Sequence, residues 1–344
     1  MSVRVWSSTS RSMTTRARVR SFVEACPKSM VFGPCGGVTA IGGCEVDSRP
    51  CPFVTEGAPP WRRRPHEPRP PRLPDIVVDI RPDPSASDFD ESIDILVDAG
   101  VGGLIGDHVD DPAHVSVPDV VSRVAARGLT VTATVACRNR SVRECRKAIG
   151  DLVDAGADAI LCVTGDHPAA RFGPDATATF ALDGTRLAAL ARSLGGYVAV
   201  AESPGSSPVH RRAWRLAQKQ RAGADVAILN HCGGLDELER FAADATECGV
   251  TMAVAAPVPV ISDLASLHAL TSFPGLLLPP ELVRAFRTAR DPELAGIDSA
   301  ITFGRQLRAG GRFTHLNLSG RATEDGQLAR CRIMAEVAVG IRQP

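Results

Sequence analysis

The chain has 344 residues, 39 basic and 39 acidic side chains for a formal net charge of zero, and is 44% hydrophobic. Neutrality argues against a general nucleic-acid binder, which carries a basic excess, and 4% aromatic content with a single tyrosine leaves no base-stacking platform. No uninterrupted apolar run reaches the roughly 18 residues of a membrane span, and the length accommodates two ordinary domains or one large barrel with an appendage.

In chain order, residues 1–24 hold Arg4, Arg11, Arg16, Arg18 and Arg20, many Ser and Thr, and one acid, Glu24. The composition has the character of a transit peptide, yet no apolar h-region follows the positive residues. The segment reads as a disordered leader, and the expected location is cytoplasmic. A Cys-rich stretch over 25–56 comes next, with Cys26, Cys35, Cys44 and Cys51 at spacings of eight, eight and six. Cys137, Cys145, Cys162, Cys232, Cys248 and Cys331 are scattered over the rest and read as reduced thiols. The crowded four suit tetrahedral Zn²⁺ or a [4Fe–4S] cluster, either of which would staple a segment too small to bury its own core. The neighbouring glycines, from Gly33 to Gly43, leave the backbone free to curl around a cation. From 57 to 74 seven prolines and five arginines predict an extended polyproline spacer, with Arg62 to Arg64 solvated.

From Asp75 the texture becomes regular. Apolar runs of strand length recur at Ile76–Ile80, Gly103–Ile105, Leu129–Val135, Ala159–Val163, Tyr197–Ala201, Val226–Leu229, Thr251–Val258 and Thr314–Leu318. Amphipathic segments such as Ser141–Ala155, Thr185–Leu194, Val209–Ala222 and Asp236–Cys248 lie between them. Glycines at the ends of several such segments mark left-handed helix stops before buried strands. Near-continuous apolar strands alternating with helices mean parallel pairing covered by helices. Eight of them predict an α/β fold, a (β/α)8 TIM barrel over 75–344 behind the small N-terminal Cys-rich metal-binding segment. No Gly-x-Gly-x-x-Gly follows the first strand, which weakens an open dinucleotide-binding sheet.

Chemistry in such a barrel sits at the carboxyl ends of strands. That rule selects Asp79, Asp107, His108, Cys137, Asp166, His167, Glu202, Asn230, His231 and His315. Four of these histidines belong to even-numbered strands. An imidazole-held metal is one reading of them; hydrogen bonds to a ligand or satisfied surface positions are the plainer one.

The segment TATVACRNRSVRECRKAIGDLVDAGADAILCVTGD (132–166) resembles the core of methylenetetrahydrofolate reductases, as do KQRAGADVAILN (219–230), APVPVIS (256–262), FPGLLLPPEL (273–282) and DPELAGIDSA (291–300), in that order. The likeness covers nearly all of 75–344. CPKSMVFGPCGGVTAIGGCEV (26–46) is similar to the second half of a Cys-rich domain usually found C-terminal to, or beside, such reductases; here it precedes the barrel. The resemblance implies hydride transfer to the methylene group of 5,10-methylenetetrahydrofolate, giving 5-methyltetrahydrofolate, within one-carbon metabolism and methionine biosynthesis. It implies FAD at the barrel mouth and NAD(P)H as reductant.

By the same resemblance, Asp79 matches a strand-1 proton-relay acid that the family usually supplies as Glu, and Asp166 matches a carboxylate beside flavin and pterin. Arg81 next to Asp79 is expected to pair with it and lower its pKa. Thr134, Thr164, Gly165, Asp166, Ala201 and Lys219 fall at flavin-contacting positions, with Lys219 matching a phosphate contact. Asn230 takes the place of a folate-contacting Gln. Thr134, Ala201, Arg215 and Gln218 differ from the usual residues, so either FAD binds in a modified pocket or the protein works without tightly held flavin. Two other functions fit the same departures: an accessory folate-binding subunit docking a corrinoid or electron-transfer protein, or a paralogue acting on another C1-pterin. A homo-oligomer is compatible with each.

Overall fold

The computed structural model describes residues 21–47, 49–81, 83–107, 116–173, 175–271, 276–320 and 326–343, apart from the side chains of 170 and 171. The expected leader up to residue 20 and His108 lie outside them.

Eight parallel strands close on themselves in sequence order. They are β1 (Ile76–Ile80), β2 (Gly102–Ile105), β3 (Val131–Ala136), β4 (Ala159–Val163), β5 (Val198–Glu202), β6 (Val226–Leu229), β7 (Ala253–Pro259) and β8 (His315–Ser319). Closure is by β8 against β1, with Val78 opposite Leu318. Each strand is followed by a helix on the outside: α1 (Phe89–Asp98), α2 (Val117–Ala126), α3 (Val142–Asp154), α4 (Gly184–Ser193), α5 (Arg212–Ala222), α6 (Leu235–Glu247), α7 (Pro292–Ala309) and α8 (Gly326–Arg342). Two extra helices, Leu264–Thr271 and Pro280–Thr288, precede α7. Among the described residues no helix is long and apolar enough to cross a membrane.

Local chemistry explains the punctuation. Ser141 and Glu144 form a reciprocal capping box that starts α3. Asp183 starts α4 by accepting from the Arg186 amide at 2.9 Å. Gly156 and Gly223, at φ +96° and +125°, stop α3 and α5 in a conformation that a side chain would strain.

Alternation along each strand sorts side chains into two layers. Ala159, Leu161, Ala199, Val226, Ile228 and Ala255 pack together inside the barrel. Their neighbours Ile160, Cys162, Val198, Val200, Ala227 and Leu229 join the larger core under the helices. By this parity Asp79, Thr134, Ala201, Asn230, Asn317 and Ser319 face inward, whereas Glu202 faces the helix layer.

The Cys-rich segment forms a small body of its own around Phe22, Met30, Val38, Cys51 and Phe53. Phe22 stacks on Phe53 with ring centroids 4.6 Å apart, so this packing begins in the helical turn 21–25, ahead of the expected boundary at 25. The spacer then runs along α5. The Trp61 amide donates to Gln218 Oε1 at 2.8 Å, the His66 amide to the Arg221 carbonyl at 3.1 Å, and the Arg69 amide to Asp225 Oδ1 at 2.8 Å. Arg62 to Arg64 are exposed, as the composition suggests.

Candidate functional site

Asp79 stands one residue before the end of β1 and faces the barrel interior. Burial pushes its carboxyl up to about 6, against an opposing hydrogen bond from Asn317 on β8 and the charge of Arg330 on α8. The expected partner, Arg81, is exposed on the following turn; the cation that acts on Asp79 comes instead from far along the chain. A carboxyl with its pKa near 6 keeps its proton at mildly acidic pH and retains a protonated fraction at neutral pH, the property a general acid needs.

Arg330 is 2% exposed. Its Nη1 donates to the Val260 carbonyl at 3.2 Å, while Nε and Nη2 have no hydrogen-bond partner among the described residues. The guanidinium reaches the ends of β7 and β8 because Gly320 makes room: a Cβ there would lie 2.0 Å from Nη2. At the end of β8, buried His231 hydrogen-bonds Ser319 Oγ, and desolvation lowers its pKa to about 4, so the ring is neutral.

Asp166, three residues beyond β4, is exposed. Its backbone carbonyl accepts from Arg138 Nη1 at 3.1 Å, and its charge helps hold Lys28 of the Cys-rich segment protonated. It therefore shares the carboxyl-terminal face with Asp79 but sits three strands away around the rim.

The residues assigned to flavin are differently placed. Thr134 is buried inside the barrel, its hydroxyl without a partner among the described residues. Thr164 Oγ1 accepts from the Gly184 amide at 3.0 Å and donates to Met30 Sδ at 3.5 Å. Gly165 turns at φ +87°. The Ala201 carbonyl accepts from Lys219 Nζ. Lys219 is buried and ion-paired with Glu202 Oε2 at 2.9 Å; burial and the charge of Arg215 lower its pKa to about 7. Arg215 reaches the same oxygen at 2.7 Å and Arg212 lies 3.6 Å from Glu202 Oε1. Against the raising effect of burial, these three cations hold Glu202 down to about 2. Asn230 donates to Ser203 Oγ at 2.8 Å. Tested on these contacts, the set does not fit a flavin: Lys219 and Thr164 are already engaged by the chain's own atoms.

Cys26, Cys35, Cys44 and Cys51 line one hollow of about 20 Å³, together with Lys28, Glu45 and Arg49. The volume holds a single water-sized occupant. Burial pushes the Cys26 and Cys51 thiols up to about 11. Among the described residues no three His, Cys, Asp or Glu side chains are gathered closely enough to clasp an ion. The donor set still fits a thiophilic metal, which would replace the thiol protons and draw the sulfurs inward.

Among the described residues, His167, His231 and His315 are not gathered into a metal site. His167 stacks near Phe180 at 6.0 Å, and its Nδ1 accepts from the Ala169 amide at 3.2 Å. His231 is engaged with Ser319. His315 opens β8, so it lies at the amino-terminal end, where burial lowers its pKa against the raising charge of Asp75. Of the other strand-end residues, Asp107 pairs with Arg140, and Cys137 is buried beside Cys145.

Sequence reasoning missed Arg330, Asn317, Arg212 and Asp183. Arg330 carried one faint signal, an arginine inside an apolar helix pattern; the others had none.

Comparison with known proteins follows the same lines. Residues 103–320 match the family model for methylenetetrahydrofolate reductase, well over half of the chain. Residues 15–57 match the model for the methylene-tetrahydrofolate reductase C-terminal domain. No curated protein matches the chain. Among solved structures, it is similar to an uncharacterized protein from Clostridium thermocellum that binds two copies of 5-methyl-5,6,7,8-tetrahydrofolic acid, with TM-score 0.57, 11% identity, and coverage of 79% of this chain and 96% of that one. Tryptophan synthase from M. tuberculosis aligns at TM-score 0.42 and 14% identity, over 79% of this chain and 94% of that chain.

Proposed function

The chain belongs to the methylenetetrahydrofolate reductase family, and from that premise we propose that it reduces 5,10-methylenetetrahydrofolate to 5-methyltetrahydrofolate at the carboxyl-terminal mouth of the barrel. The observation that carries this reading is Asp79, an inward-facing carboxyl at the end of β1 with its pKa near 6. Proton donation from Asp79 to N10 of the folate opens the five-membered ring and leaves an N5 iminium cation. A hydride from NAD(P)H then adds to the methylene carbon, so one hydride and one proton are consumed and NAD(P)⁺ leaves. Asp166, an anion on the same rim, favours the cationic iminium by charge. Asn317 orients Asp79 by hydrogen bonding, and Asn230 at the end of β6 offers an amide carbonyl to the pterin edge. Binding of methyltetrahydrofolate by the Clostridium protein of like fold supports the substrate class.

The four cysteines are assigned to Zn²⁺ or an iron–sulfur cluster. Metal analysis and an absorption spectrum of anaerobically purified protein distinguish the two; absence of both metals removes the assignment.

The test of the reaction is substrate-dependent NAD(P)H oxidation by purified protein, with Asp79→Asn as the control. Turnover in the intact chain and its loss in the variant, with 5-methyltetrahydrofolate binding retained in both, is expected. Binding without turnover in the intact chain would favour the accessory folate-binding role instead.

A further inference from the structure

Helix α5 presents Arg212, Arg215 and Lys219 at i, i+3 and i+7, one face of a helix. Three cations in a row with one carboxylate, Glu202, between them leave a surplus of positive charge, the ordinary setting for a phosphate-bearing ligand. All three are buried.

What covers Arg212 and Arg215 belongs to the same chain, while Lys219 is held from β5 by Glu202 and the Ala201 carbonyl. Arg212 donates to the Pro34 carbonyl at 3.3 Å and to the Cys35 carbonyl at 2.9 Å. Gly33, at φ +124°, packs so closely on Arg215 that a Cβ would lie 2.8 Å from its Cδ. The Gly36 carbonyl accepts from Ser206 Oγ at 2.6 Å, and a Cβ on Gly36 would lie 2.7 Å from Ser203 Oγ. Behind these contacts the Val31 amide donates to Asp183 Oδ2 at 2.8 Å, and Arg186 Nη2 donates to the Ser29 carbonyl at 2.6 Å. Met30 and Val31 are both 1% exposed. The segment is seated by partners from α4, α5 and the β5–α5 loop, not resting on an open surface.

We propose that residues 29–36 occupy, in cis, the seat on α5 where the family's flavin dinucleotide would place its phosphates, so that the folded chain holds no flavin there and carries its Cys-rich segment docked at the barrel mouth instead. Peptide carbonyls take the hydrogen bonds that phosphate oxygens would accept, and Glu202 supplies the negative charge. Through its bond to the Cys35 carbonyl, Arg212 also ties α5 to the loop that carries one of the four cysteines. The proposal rests on the folate-reductase reading for the location of that seat.

The test is titration of the full-length protein with FAD, followed by flavin fluorescence, with 5-methyltetrahydrofolate titrated in parallel. The intact chain is expected to show no saturable FAD binding up to about 100 µM. Gly36→Leu, which forces a side chain into Ser203, is expected to undock the segment and gain FAD affinity at least about tenfold. Saturable FAD binding by the intact chain overturns the proposal, as does a folded Gly36→Leu variant that gains none. Should that variant fail to fold, hydrogen exchange on the intact chain decides: slow exchange at the Val31 amide, on the scale of the barrel strands, supports the docked seat, and fast exchange overturns it. Loss of folate binding by the intact chain counts against the reductase reading alone.

Discussion

The two sides of the barrel mouth are built on opposite principles. Around β4 to β6 the charges gather into one ion-paired cluster: Glu202 meets Arg212, Arg215 and Lys219, and the Cys-rich segment covers Arg212 and Arg215. Around β8 and β1 the polar groups are few, desolvated and partly unpartnered: Asp79 near pKa 6, neutral His231, and Arg330 with Nε and Nη2 unpartnered among the described residues. Saturated networks stabilise a single arrangement, whereas a desolvated acid retains the capacity to change protonation. On the proposed reading, the difference assigns chemistry to β8–β1 and attachment to β4–β6.

The sharpest way to break this contrast is to exchange the behaviour of its two carboxylates. Asp79→Asn is expected to lower turnover by about 10²- to 10⁴-fold, the range of general acid catalysis, with circular dichroism unchanged. Glu202→Gln is expected to cost about 3–5 kcal/mol by urea unfolding, because it leaves buried cations without their anion. Destabilisation by the first and mere loss of activity by the second would invert the assignment.

The pH dependences should also have opposite signs. The Asp79 pKa is raised by folding, so ionisation costs stability as pH climbs from about 4 to about 6. Turnover that needs its proton should fall about tenfold per pH unit above about 6. At pH 8 Asp79→Asn should be the more heat-resistant protein, by about 1–2 kcal/mol after allowance for its partial exposure. The Glu202 pKa is depressed to about 2, so its contribution is present above about 4.5 and lost as pH falls toward 2. Denaturation midpoints across pH 2 to 8 should therefore lose that acid slope in Glu202→Gln.

Arg330→Met sharpens the comparison more finely. Removing a cation that lowers the Asp79 pKa should move the alkaline limb of the activity profile upward, with activity retained at pH 5. A profile that stays in place would show that Arg330 is only structural. The smallest effect is expected at Arg62 to Arg64, where serine replacements should change stability by no more than about 0.5 kcal/mol, since these side chains are exposed.

Much of this was legible in the chain. The strand runs at Ile76–Ile80, Ala159–Val163 and Val226–Leu229 coincide with β1, β4 and β6, because parallel strands buried on both faces need continuous apolar sequence. Asp79 was legible from its place at a strand end. Its acidity was not, since the expected neighbour Arg81 points to the surface while Asn317 and Arg330, more than two hundred residues later, set its environment. His315 was legible as well: the run Thr314–Leu318 already sets it near the start of its strand, and β8 begins at His315.

The amino-acid order by itself determined the alternation of strands and helices, the four-cysteine cluster and the polyproline spacer, because periodicity and composition are local properties. Only the tertiary structure decided that the Cys-rich segment lies on α5, that Lys219 serves Glu202, and that Arg330 reaches Asp79. Those outcomes depend on which distant groups share a desolvated space, and Val31 meeting Asp183 across 152 positions of chain has no trace in any neighbouring residue.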